Sequence, residues 1–225
     1  MNFLSHYYFE RYSTSSERVT GCLLPDLLKH VGKSYAFQPL KHQAILKQRV
    51  ASNDLFIGWM RHVDVDRVFH GSDFFLEHRH KLRKVLEDML VGLPIRPSFL
   101  AHISIELLLD FYLLKEDLIN PNRLYEHLTA VDKPSLRWFL DTIGNENPHS
   151  FMEFYDTFVE SKYLLKYVEI DFLAEALLNI CKRVWNFQYN YDDKMALSEK
   201  LLAYYDEHDH SFNDVFTVVS EGIKH

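Results

Sequence analysis

The 225-residue sequence is short of glycine and cysteine, and each shortage excludes a class of protein. Seven glycines leave little material for phosphate-cradling loops. Neither G-x-G-x-x-G nor G-x-x-x-x-G-K-[ST] occurs, which disfavours a Rossmann or P-loop enzyme. The two cysteines, Cys22 and Cys181, form no C-x-x-C pair and predict reduced thiols in a cytoplasmic setting. No stretch approaches the ~20 apolar residues of a membrane span, and the start MNFLSHYYFERYS lacks the basic opening and small-residue cleavage site of a signal peptide. Positive charge is scarce too. With 25 Lys and Arg against 32 Asp and Glu, the formal charge is −7. A general nucleic-acid binder needs a basic footprint to displace counterions. Composition therefore predicts no nucleic-acid partner and no membrane partner.

What is present is helical periodicity. Phe99, Ile103, Leu107 and Phe111 recur every four residues, with Leu100, Leu108 and Leu109 widening the face. Over 161–185, Leu164, Leu165, Val168, Phe172, Leu173, Ala176, Leu177, Ile180 and Val184 follow the same rule. Apolar faces this wide belong to helices buried among helices. Strand-like alternation and Asn-Gly or Asp-Gly hairpin signals are lacking. The breaks come from Gly71-Ser72, Gly92-Leu93-Pro94, Asn120-Pro121, Asp132-Lys133-Pro134 and Gly144–Pro148, with Ser98 as an expected N-cap. The pattern predicts an all-α fold, a single-domain bundle over 1–225 with about nine or ten helices. It includes long helices at roughly 39–70 and 73–91.

Thirteen histidines are an excess, and two helices gather the informative ones. His62, Asp66 and His70 are spaced i, i+4, i+8, as are His102, Glu106 and Asp110, so each trio forms a stripe on one helix face. Four residues rise about 6 Å, so adjacent members suit one metal and the outer two do not. The second trio lies among Leu, Ile and Phe, where carboxylates occur only when paired, protonated or metal-bound. Facing stripes at helix-packing distance build metal sites in bundles. Mixed nitrogen and oxygen donors suit Mn, Fe, Zn or Mg. Read singly, each residue equally fits a solvated face or a hydrogen-bonded core position, and the matched ladders favour a site. His6 and Asp26 add two further candidates, although Asp26 after Pro25 also reads as a helix cap. His78, His80, His208 and His210 read as surface residues.

The motifs Met1-Asn-Phe-Leu-Ser-His6, Gly21-Cys-Leu-Leu-Pro-Asp26, Gly58-Trp-Met-Arg-His62-Val-Asp-Val-Asp66, Glu106-Leu-Leu-Leu-Asp110-Phe111 and Tyr163-Leu-Leu-Lys-Tyr167-Val-Glu-Ile-Asp171 occur in order along the chain. In order and spacing they resemble the acyl carrier protein phosphodiesterase family. The departures are Cys22, Val63, His70, Glu106 and Phe111, with His102 appearing one turn before the central pair. The resemblance implies an HD-domain-like helical fold and a divalent-metal-dependent hydrolase, with Mn²⁺ the usual ion and Mg²⁺, Fe²⁺ or Zn²⁺ as alternatives. Its reaction would cleave 4′-phosphopantetheine from holo-acyl carrier protein. The metal ligands are expected among His62, Asp66, Asp110, His70, His102 and His6. Glu106 or Asp26 would act as general base, and Arg61 or Arg67 would hold a phosphate oxygen.

Acyl carrier proteins are acidic, so the resemblance also demands a local basic face. Arg79, Lys81, Arg83 and Lys84 supply one directly after the first ladder. Two other readings use the same residues differently. One is a metal phosphohydrolase acting on a nucleotide or other small phosphoester. The other is a non-catalytic helical binding protein of the same ancestry.

Overall fold

The structure is a computed structural model that describes residues 1–29 and 37–223. Among these, twelve α-helices occur and no strand. They are α1 (Phe3–Tyr8), α2 (Ser16–Leu28), α3 (Gln43–Leu46), α4 (Val50–His70), α5 (Asp73–Glu87), α6 (Pro97–Lys115), α7 (Pro121–Ala130), α8 (Lys133–Thr142), α9 (Pro148–Ser161), α10 (Ile170–Trp185), α11 (Tyr191–His208) and α12 (Phe212–Gly222). The all-α expectation holds. The expected 39–70 helix divides into a 3₁₀ turn, α3 and α4. The 73–91 helix ends at Glu87 and continues as a 3₁₀ turn, Asp88–Leu90. Ser98 lies inside α6 rather than capping it, because Pro97 takes the first helical position, where a missing N–H costs nothing.

The helix starts follow local chemistry. Ser15 accepts the Arg18 amide, Ser72 the Phe75 amide, Asn120 the amides of Asn122 and Arg123, and Asp132 the Ser135 amide. Each supplies a partner to an amide that has none inside its own helix. Pro25 lies within α2, so Asp26 is an interior residue of that helix and caps nothing.

The helices sort into two compact units that interleave along the chain. Unit 1 comprises Met1–Ser5, Asp66–Leu118 and Lys166–His225; unit 2 comprises His6–Val65 and Ile119–Leu165. In unit 1, α6 packs against α5, α10 and α11. Leu100, Ile105, Leu108, Leu109 and Leu113 of α6 are fully buried. By length and composition α6 is apolar enough to cross a membrane, unlike the reading from sequence, but most of it is buried within the protein as a core helix.

In unit 2, α7 lies against α2 and α9, and α9 against α8. The α2–α4 contact depends on two glycines. An added Cβ at Gly21 would meet the Leu55 carbonyl oxygen at 2.3 Å, and one at Gly58 would meet the Arg18 carbonyl oxygen at 2.1 Å. Both obstructions are backbone, so the helices approach this closely only because neither position carries a side chain.

Candidate metal centre

In unit 1, three side chains from the two sequence ladders converge. His70 ends α4, while His102 and Glu106 sit one turn apart on α6. His70 Nε2 lies 3.0 Å and His102 Nε2 3.3 Å from the same oxygen, Glu106 Oε1. Their rings are 5.1 Å apart, and each makes an edge contact with Phe75 at 4.9 Å. Phe75 is buried and comes from α5, so the packing of α5 on α6 fixes where both imidazoles stand. The His70 and His102 side chains remain about one-third exposed, at 33% and 36%, so the group is open to solvent ions.

Donor atoms of the three residues lie within 4.8 Å of one another. Ligands held about 2.0–2.2 Å from one cation stand roughly 3.0–3.5 Å apart. The two nitrogen–oxygen separations match that spacing. Two imidazoles and one carboxylate form a donor set suited to Mn, Fe or Zn. The carboxylate is ionised. Burial alone would raise its pKa, but the Met1 amino group and hydrogen bonds from His102 and His70 outweigh burial and hold it well below the usual range. The Met1 nitrogen lies 3.2 Å from Glu106 Oε1 and 2.8 Å from Asp66 Oδ1.

Asp110 stands apart from this group, although it completes the ladder on α6. It is fully buried, and both oxygens are engaged. Oδ1 accepts from the Ser5 amide at 2.8 Å and the Ser5 hydroxyl at 2.6 Å. Oδ2 accepts from the Leu4 amide at 3.1 Å and Asn2 Nδ2 at 3.0 Å. Asp110 therefore satisfies the first amides of α1 and anchors residues 1–5 beside the cluster. Burial pushes its pKa up to about 7, against the pull of the Ser5 and Leu4 hydrogen bonds.

The remaining site candidates divide between the units. In unit 2, the buried rings of His6 and His62 stack at 3.7 Å with an 18° tilt. His62 Nδ1 lies 2.9 Å from the Cys22 carbonyl oxygen, which only accepts, so Nδ1 carries the proton. Asp26 Oδ1 pairs with Lys29 at 2.6 Å, and Oδ2 is 3.9 Å from His6 Nε2. Asp66 follows His62 by one turn of α4 but belongs to unit 1.

Arg61 braces a carboxylate in unit 2. Its Nε donates to Glu10 Oε1 at 3.1 Å, while Arg18 grips Glu10 through Nε at 2.7 Å and Nη2 at 3.0 Å. Glu10 is buried, at 4% exposure, and sequence reasoning passed over it. A polar residue after an apolar helix start carries no periodic signal of burial.

On α5, Lys81 pairs with Glu77 at 2.7 Å and Arg83 with Glu87 at 3.6 Å, while Lys84 is exposed. His78 is not a surface residue. It is 4% exposed, with Nδ1 at 2.8 Å from the Tyr204 hydroxyl and Nε2 at 3.2 Å from Ser211 Oγ. Burial, followed by the nearby His208 and Lys81, pushes its pKa down to about 4. Its partners lie 126 and 133 residues away, beyond any local pattern.

No protein-family model, curated protein or solved structure matches this chain.

Proposed function

We propose that the protein is a divalent-metal-dependent phosphodiesterase that releases 4′-phosphopantetheine from holo-acyl carrier protein. The observation that carries the metal part is the convergence of His70, His102 and Glu106 within 4.8 Å on an open face of unit 1. The substrate part, and with it the HD-type likeness, rests on the ordered motifs from Met1 to Asp171. A cytoplasmic setting agrees with two free, buried cysteines.

His70, His102 and Glu106 are the ligands in this reading, which moves Glu106 from base to ligand. A bound divalent ion would acidify water and neutralise charge on the phosphoryl oxygens. Asp66 shares the Met1 nitrogen with Glu106, and in this reading it changes from expected ligand to the base that would accept the proton of the attacking water. Water would add to phosphorus as its proton passes to Asp66, the bond to the carrier serine oxygen would break, that oxygen would take a proton from solvent water, and 4′-phosphopantetheine would leave carrying the phosphate. Asp110 positions residues 1–5 and touches no substrate. Arg83 and Lys84 lie on the face expected to steer the acidic carrier protein.

The test is a Mn²⁺-supplemented assay on holo-acyl carrier protein that measures release of 4′-phosphopantetheine. Activity lost in His102→Ala supports the reading. A wild-type protein that binds Mn²⁺ and leaves the carrier protein intact overturns the substrate assignment.

A further inference from the structure

The basic residues of α5 are not equivalent. Lys81 and Arg83 are each paired with a glutamate one turn away. Arg79 pairs with no carboxylate among the described residues. Its guanidinium carbon instead lies over the Phe75 ring, 5.5 Å from the centroid, a cation–π separation. Phe75 and Arg79 are four residues apart on one face of α5. The Phe75 ring is the one whose centre lies 4.9 Å from both His70 and His102. An uncompensated guanidinium is thus held against the aromatic side chain that seats both candidate ligands.

We infer that Arg79 is the phosphate-binding residue of this centre, the group that grips a non-bridging oxygen of the phosphodiester. This inference rests on the metal reading of His70, His102 and Glu106. Three physical points support it. A guanidinium offers a planar fork that matches two phosphate oxygens, whereas an ammonium supplies a point charge. The cation–π contact with Phe75 limits the side chain's freedom, so less ordering remains to be done when an anion arrives. Half-burial raises the value of the contact above that of a fully hydrated pair. Of the two arginines expected in this role, Arg61 is engaged with buried Glu10 in unit 2, and Arg67 is exposed on α4, without the half-burial that Arg79 has. Arg79 would thereby select oxyanion substrates at the metal, and carrier-protein steering would fall to Arg83 and Lys84.

The experiment is calorimetric titration of Mn²⁺ alone, then of inorganic phosphate into the Mn²⁺-loaded protein, for wild type, Arg79→Gln and Arg79→Lys. Loss of a charge-assisted hydrogen-bonding fork predicts phosphate binding weakened about tenfold or more in Arg79→Gln and partly restored in Arg79→Lys. Mn²⁺ affinity should stay within about twofold of wild type, since the ligands are untouched. A purely structural role for Arg79 would shift unfolding without separating these two affinities. Mn²⁺ binding retained, with phosphate affinity unchanged in Arg79→Gln, overturns this inference alone. A wild type that binds no Mn²⁺ overturns the metal reading and this inference with it.

Discussion

Gly58→Ala puts one methyl group into a contact that has no room for it. The new Cβ would stand 2.1 Å from the Arg18 carbonyl oxygen and 2.8 Å from the Cys22 amide nitrogen, both backbone atoms of α2. No rotamer change relieves a clash between a Cβ and a main chain, so α2 and α4 must separate by about 1 Å or more. That movement stretches the 2.9 Å bond from His62 Nδ1 to the Cys22 carbonyl. Overpacking of this kind costs typically about 1–3 kcal/mol, and losing a buried hydrogen bond adds about 1 kcal/mol. The better helix propensity of alanine returns up to about 1 kcal/mol. The net expectation is roughly 2–3 kcal/mol of destabilisation, a fall in Tm of about 5–10 °C for a protein of this size. Circular-dichroism melting measures it, with Gly71→Ala as the control. There the added Cβ would come no closer than 3.3 Å to any atom, the Arg67 carbonyl oxygen. A Gly58→Ala protein that melts with wild type would refute the glycine interlock.

Asp110→Asn keeps shape but turns an NH₂ group toward donors, so at pH 8 it should cost about 1–3 kcal/mol in urea unfolding while Mn²⁺ binding persists. An unchanged midpoint would remove Asp110 from its role as the anchor of α1. Acid titration separates two buried groups of opposite sign. With its folded pKa near 4, below the ordinary 6.5, His78 gives stability that is present above pH 6.5 and lost as pH falls toward 4. Asp110, near 7 against an ordinary 3.8, gives stability at low pH that is lost as pH rises through 7. Over their shared window the two offset, so Asp110→Asn should lose stability on acidification more steeply than wild type; parallel pH profiles would contradict the Asp110 assignment. Reversing charge with Arg83→Glu and Lys84→Glu should weaken carrier-protein binding more at low salt than at high salt, and equal affinity at low salt would reject that face.

The helices were legible because a buried helix must repeat its apolar positions every three or four residues, and α6 and α10 do so. His70, His102 and Glu106 were legible as ligand-type residues at helical spacing. Their convergence required knowing that the end of α4 meets α6. Asp110 shows why spacing alone misleads. It satisfies the ladder as well as Glu106 does, but its partners Leu4 and Ser5 lie 106 and 105 residues away and saturate both oxygens. The groups that hold Arg61 and His78, Glu10 and Tyr204, are equally invisible to spacing, since they are distant or carry no pattern. The motif glycines are a different case. Gly21 and Gly58 were visible as letters, and the structure supplies their physical cause in the α2–α4 contact.

Titration of Mn²⁺ into wild type and into His70→Ala/His102→Ala tests the central claim most directly. Binding of one ion per wild-type chain, abolished in the double variant while the helical circular-dichroism signal is kept, is the predicted result. Wild type without stoichiometric binding, or a double variant that binds as wild type does, would contradict the account.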